Sequence, residues 1–204
     1  MQVDRPAPGE ELNPGEPTRP RQAATVILLR GGGERVEVLL VRRNPAAHFM
    51  GGAWVFPGGA LDGGETHRRA GMREVAEEAG VALDDPDALL EFSRWITPPQ
   101  VRTRFDTLFF LARAPAGADP RPDGAETVDA RWYAPQDALD AAERGEIELV
   151  FPTVKHLEQL SAFGSADELL GWARGREVVP VVPRVVREGE VARVVLPGEP
   201  GYEC

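Results

Sequence analysis

The sequence predicts an α+β fold in which a mixed β-sheet is layered between helices, an α/β/α arrangement. Three observations predict it. Short runs rich in Val, Ile, Leu and aromatic residues recur along the chain. Several helical patterns stand among and after them. The two kinds do not alternate regularly, as a doubly wound parallel sheet would require.

Each element has its own signal. Ala23 to Leu29 and Val36 to Val41 flank the glycines 31–33 and read as a hairpin. Trp54-Val55-Phe56 is a short β candidate stopped by Pro57-Gly58-Gly59. Thr66 to Ala79 is the strongest helix, with Thr66 as N-cap and Gly80 placed for a left-handed C-cap. Further β-like runs lie at Leu89 to Ile96, Thr107 to Ala112 and Thr127 to Tyr133. Pro135 to Arg144 reads as a helix with proline in its first turn. Thr153 to Phe163 and Ala166 to Ala173 are helical, and Val178 to Val195 is extended. Pro6, Pro8, Pro14, Pro17 and Pro20 make residues 1–20 a flexible tail. That leaves a domain over 21–165 and a helical and extended segment over 166–204.

Composition narrows the function. A net charge of −10 lacks the basic footprint that nucleic-acid binding needs. The sole cysteine, Cys204, permits no internal disulfide. No apolar run is long enough to span a membrane, and no secretory leader is visible. A cytoplasmic protein is the expectation.

The informative stretch is Gly58 to Val81, GGALDGGETHRRAGMREVAEEAGV. With Glu74 at zero and about 100° per residue, Glu77 falls near 300° and Glu78 near 40°. Three carboxylates thus share one face. Met72, Val75, Ala76 and Ala79 fall on the opposite side, which predicts an apolar back face. Like charges at this spacing repel by a few tenths of a kcal/mol per pair. A bound hard cation removes that cost, and an oxygen-only donor set suits Mg²⁺ or Mn²⁺. A solvated acidic face is the commoner use of such glutamates. The apolar back face, the glycine-rich entry and the adjacent Arg73 are not needed by a merely solvated helix.

The segment resembles the Nudix box, G-x5-E-x7-R-E-U-x-E-E-x-G-U with U apolar. Gly59, Glu65, Arg73, Glu74, Val75, Glu77, Glu78, Gly80 and Val81 match it. The resemblance extends over roughly residues 22–160 and implies the Nudix fold. It also implies a hydrolase that cleaves a nucleoside diphosphate linked to another group. Glu74, Glu77, Glu78 and the carbonyl of Gly58 would bind Mg²⁺ or Mn²⁺. Glu65 and Arg73 would pair and hold the helix, and a carboxylate, Glu74 or Glu78, would take the proton from the attacking water. Relatives are often homodimers.

The substrate is read from flanking segments. Leu39 to Gly59, LLVRRNPAAHFMGGAWVFPGG, is similar to the signature of the coenzyme A diphosphatase branch at Leu39, Leu40, Arg43, Gly52, Phe56, Pro57, Gly58 and Gly59. It departs at Ala47-His48 and at Ala53-Trp54. Arg94 to Pro115 and Glu148 to Thr153 resemble the acyl-CoA diphosphatase type, which often interrupts its box; here the box is continuous. Arg43, Arg104 and Arg42 are candidates to hold phosphate oxygens. Trp54 and Phe105 are aromatic and expected to pack, and His48, His67 and His156 have no metal-ligand spacing. CoA or acyl-CoA is the preferred substrate. ADP-ribose, NADH or a nucleoside triphosphate is the alternative, and a non-catalytic ligand sensor a third reading.

Overall fold

A computed structural model describes residues 12, 13, 15–32, 35–188 and 191–202. The strands are β1 (Arg21–Arg30), β2 (Glu37–Arg43), β3 (Trp54–Val55), β4 (Gly58–Ala60), β5 (Leu90–Ile96), β6 (Phe105–Arg113), β7 (Thr127–Tyr133), β8 (Pro180–Val181), β9 (Arg184–Glu188) and β10 (Val191–Val195). The helices are α1 (His67–Ala79), α2 (Pro135–Glu143), α3 (Phe151–Leu160) and α4 (Ala166–Ala173).

β1 is the centre of the sheet because both of its faces are apolar. Side chains of a strand alternate between faces. Ala24, Val26 and Leu28 join Leu39, Val41, Ala70, Val75 and Ala79 in the layer under α1. Ile27 and Leu29 join residues of α2, α3 and α4 in the opposite layer. The expected sandwich is therefore present, with α1 as the α-helix on one face among the described residues.

The main sheet runs β3-β2-β1-β6-β5-β8, with β4 on β1 and β7 on β2. β1 pairs along its length with β6, in parallel, from Arg21↔Phe105 to Leu29↔Arg113. On its other side it meets β2 only at Leu29↔Val38 and Arg30↔Glu37. The two strands then part. β4 takes the free half of β1 at Ala23–Thr25, and β3 takes the free half of β2 at Val41 and Arg42. Residues 54–60 are thus a wedge between β1 and β2. β4 carries no apolar pattern, and the sequence reading ended a strand just before it.

The chain after residue 165 belongs in part to this body. Ala166, Leu169, Leu170 and Ala173 of α4 are buried in the layer with α3, and β8 pairs in parallel with β5. β9 and β10 form a separate two-stranded sheet. Most of the expected N-terminal tail, residues 1–11 and 14, lies outside the described residues, as does Cys204. The rest of that tail runs against the segment before β6: Leu12 bridges Val101, and the Thr18 hydroxyl donates to the Arg102 carbonyl at 3.1 Å. Among the described residues no helix is long and apolar enough to cross a membrane.

His156 of α3 is buried in the larger layer, ringed by Phe56, Phe92, Trp95 and Phe109. Its Nδ1 is 2.7 Å from the Pro152 carbonyl and its Nε2 2.6 Å from Ser93 Oγ. A carbonyl can only accept, so Nδ1 carries a proton. Burial holds its pKa down to about 4, below the ordinary 6.5. The unfolded chain takes up a proton there that the fold refuses. Its contribution is therefore complete above pH 6.5 and is lost as pH falls from 6.5 towards 4, on the order of 3 kcal/mol in all. Thermal unfolding should show Tm falling more steeply across that window in the native chain than in His156→Gln.

Candidate active site

The wedge meets α1 at Gly58 and Gly59, and the meeting needs both glycines. A Cβ on Gly58 would stand 2.4 Å from Thr25 Oγ1, and one on Gly59 would stand 2.3 Å from Glu74 Oε1. α1 is set by its ends: the Thr66 hydroxyl accepts from the Arg69 N–H, and Gly80 takes a left-handed φ of 64°.

The helix does not present its carboxylates away from the sheet, as the wheel predicted. Its buried stripe holds Ala70, Gly71, Glu74, Val75, Glu78 and Ala79. Ala76, expected on the packed face, is exposed, and Met72 is half-buried. The reason is the backbone of the wedge. Two residues without side chains leave room for Glu74 and Glu78 to lie inward.

Glu78 is 2% exposed. The Gly58 N–H donates to its Oε2 at 2.9 Å, and Arg43 Nη1 stands 3.7 Å from its Oε1. Its carbonyl accepts from the Thr127 hydroxyl at 2.6 Å. Burial pushes the Glu78 carboxyl up to about 7; the Gly58 N–H and Arg43 oppose the shift, and Glu74 adds to it. Glu74 is 8% exposed and is likewise raised by burial, against its bond to Arg73.

Arg73 organises the rest. Its Nε and Nη2 fork onto Glu65 at 3.2 and 3.0 Å. Its Nη1 reaches Glu74 at 2.8 Å and Glu77 at 2.9 Å, and Nη2 also donates to the Ala60 carbonyl at 3.1 Å. The guanidinium holds the Glu65 carboxyl below its ordinary range. Lysine cannot reproduce a planar fork. Arg73→Lys should lower catalytic efficiency by about 10- to 100-fold, as loss of an orienting partner does. Michaelis–Menten kinetics on the best substrate would check it.

Other residues fall differently from their sequence reading. Glu77 does not converge with Glu74 and Glu78: its side chain is 59% exposed and is drawn to Arg73. Among the described residues no three Asp, Glu, His or Cys side chains already form a metal cage. At Gly58 the contact that Glu78 receives is the N–H. Arg104 is occupied as a strut, donating to the Thr97 carbonyl at 3.0 Å and the Thr18 carbonyl at 2.5 Å. It does not offer a free fork to phosphate. Arg42 is exposed, and its Nε reaches the Gly52 carbonyl at 3.4 Å. Trp54 packs in the core as expected, whereas Phe105 is half-buried. A carboxylate the sequence did not single out, Glu126, adds negative field to both Glu74 and Glu78. It precedes β7, far from α1 in sequence, so only the fold reveals it.

The donor set fits a hard divalent cation. Two carboxylates are taken out of water with few compensating donors, and their protonation is favoured by burial. Buried like charges are stable only when paired or when they coordinate a metal. A separate cleft of about 400 Å³ lies between Arg30, Arg113 and Trp132. It sits at the other end of β1 from the glycine wedge, and no acidic residue is among the described residues that line it.

Comparison with known proteins agrees with this geometry. The family model for the NUDIX domain matches residues 19–152. The chain is 28% identical over 208 residues to the putative nudix hydrolase 7 of Caenorhabditis elegans, covering 82% of this chain and 68% of that protein. It is 24% identical to the human acyl-coenzyme A diphosphatase NUDT19, covering 94% of this chain and 82% of the relative. The crystal structure of a NUDIX hydrolase from Alicyclobacillus acidocaldarius superimposes with a TM-score of 0.67 at 28% identity, covering 76% of this chain and 96% of that one. With the box complete from Gly59 through α1 to Val81 and the fold shared, the chain belongs to the Nudix hydrolase family, enzymes that act on pyrophosphate bonds.

Proposed function

We propose that the protein is a Mg²⁺- or Mn²⁺-dependent hydrolase that cleaves the diphosphate of a nucleoside diphosphate joined to another group, with CoA or acyl-CoA as preferred substrate. One observation carries the reaction class: the buried Glu74–Glu78 pair set against Gly58 and Gly59. Glu74 and Glu78 would hold the cation, with the Gly58 carbonyl and with Glu77 once it leaves Arg73. When bound, the cation neutralises phosphate oxygens and acidifies a bound water.

The chain's own groups do the rest. Glu74 accepts the proton of the attacking water. Arg73, locked onto Glu65, orients Glu74. Arg43 and the exposed Arg42 meet the phosphates, Arg43 from beside Glu78. The preference for CoA derivatives is supported by the flanking likenesses and by NUDT19, a relative over 94% of the chain. Another human relative, 32% identical over 72% of this chain, is the 8-oxo-dGDP phosphatase NUDT18; the chain spans 43% of its length.

Incubation with Mg²⁺ and a panel of CoA, an acyl-CoA, ADP-ribose, NADH and dNTPs tests the proposal. The expected products from CoA are 4′-phosphopantetheine and adenosine 3′,5′-bisphosphate. Turnover of ADP-ribose or dNTPs without CoA would remove the CoA assignment. No turnover of any member would favour a ligand sensor.

A further inference from the structure

Asn44 follows β2 and opens the loop 44–53, which is held by its own polar contacts. Its Oδ1 accepts from the Ala46 N–H at 2.9 Å. Its Nδ2 donates to the Ala125 carbonyl and its backbone N–H to the Glu126 carbonyl, each at 2.8 Å. Gly51 is enclosed: a Cβ there would stand 2.6 Å from the Ala47 carbonyl and 2.8 Å from that of Pro45. Met50 has a φ of 52°, the one non-glycine residue on that side among the described residues. Such a conformation persists where the surroundings over-determine it, and it clusters at binding sites.

Two routes tie this loop to Glu78. Arg43 donates from Nε to the Phe49 carbonyl at 3.2 Å while its Nη1 stands 3.7 Å from Glu78 Oε1. Asn44 holds residues 125 and 126, and the next residue, Thr127, donates to the Glu78 carbonyl. The tip of the loop carries Phe49, half-buried, with its ring 5.7 Å from that of Phe105 and inclined at 59°. The Arg21 guanidinium also stands over Phe105, 5.8 Å from the ring centre. Arg21 pairs with Phe105, and Ala24 pairs with Gly59. Phe105 on β6 and Gly59 on β4 flank β1 from opposite sides and are three residues apart along it, so they stand roughly 14 Å apart. A nucleoside diphosphate together with the cation it carries spans such a gap.

We propose that residues 44–53 are the specificity loop of this site: Phe49, backed by Phe105, stacks on the nucleobase of the substrate, and Asn44 is the positioning residue that fixes the loop against Glu78. This deepens, and for turnover rests on, the diphosphate hydrolase proposed above. Every nucleobase has a π-face, and removing an aromatic partner weakens base binding by roughly 5- to 150-fold.

Calorimetry with ADP and with inorganic pyrophosphate, both in Mg²⁺, isolates the base. Phe49→Ala should weaken ADP by that factor and leave pyrophosphate within about twofold, and Phe49→Tyr should restore ADP binding. Asn44→Ala should lower kcat about tenfold or more, with ADP affinity changed far less, as expected of a residue that acts by orientation. Unchanged ADP affinity in Phe49→Ala, or an equal loss for pyrophosphate, would overturn the stacking role. Unchanged kcat in Asn44→Ala would overturn the positioning role. A native protein that turns over nothing, yet binds ADP through Phe49, would remove the hydrolase and keep the loop.

Discussion

Replacing Glu78 by glutamine is expected to lower kcat by about 10³-fold while the chain stays folded. Glutamine has the same shape, and its side-chain oxygen can still accept from the Gly58 N–H, now at 2.9 Å from Glu78 Oε2. It also removes a charge that burial disfavours and that repels Glu74. Thermal unfolding without metal should therefore hold steady or rise. What is lost is one of two buried anionic oxygen donors, the groups a hard cation requires. Divalent cation should raise the Tm of the native chain more than that of the variant, since a ligand stabilises only what binds it. Activity within tenfold of native, with unchanged metal dependence, would show that Glu78 lies outside the catalytic machinery.

Gly59→Ala is expected to abolish turnover, by at least about 100-fold, at small cost in stability. The added methyl would overlap Glu74 Oε1 at 2.3 Å, its Cδ at 2.6 Å and its Oε2 at 2.9 Å. These atoms are the end of a side chain, so Glu74 can swing aside, but only by leaving the place where Arg73 holds it. The neighbouring change, Gly58→Ala, should behave differently. Its methyl would overlap the Ala24 carbonyl at 2.7 Å and Thr25 Cα at 2.7 Å, which are backbone and cannot yield. That variant should lose stability as well as activity. Comparing kcat and Tm for the two separates a displaced carboxylate from a displaced strand; equal Tm losses would contradict the distinction.

Much of this was legible in the chain, for identifiable reasons. α1 announces both of its ends by chemistry that acts locally, Thr66 and Gly80. The pairing of Arg73 with Glu65 follows from the box and is present as a fork. The apolar strands declare themselves because each buries side chains. β4 does not, because a strand of Gly58, Gly59 and Ala60 is defined only by its partner β1. The inward set of Glu74 and Glu78 was missed for the same reason: a helical wheel sorts residues by polarity, whereas here the facing surface is bare backbone. Arg104 looked like an available cation, but two carbonyls, one of them 86 residues away in sequence, engage it. Asn44 and Glu126 depend on loops meeting across the fold, which no local pattern encodes.

The parallel pairing of β1 with β6 has a consequence for biosynthesis. Arg21 finds Phe105 as its partner, so the central strand is made 84 residues before the strand that covers its longer edge. At translation rates of about 5–20 residues per second, that edge waits roughly 4–17 s. Through that interval Val26, Ile27, Leu28 and Leu29, all fully buried at the end, have no complete home. A nascent chain of this kind is exposed to wrong partners and should depend on holdase chaperones more than its modest size suggests.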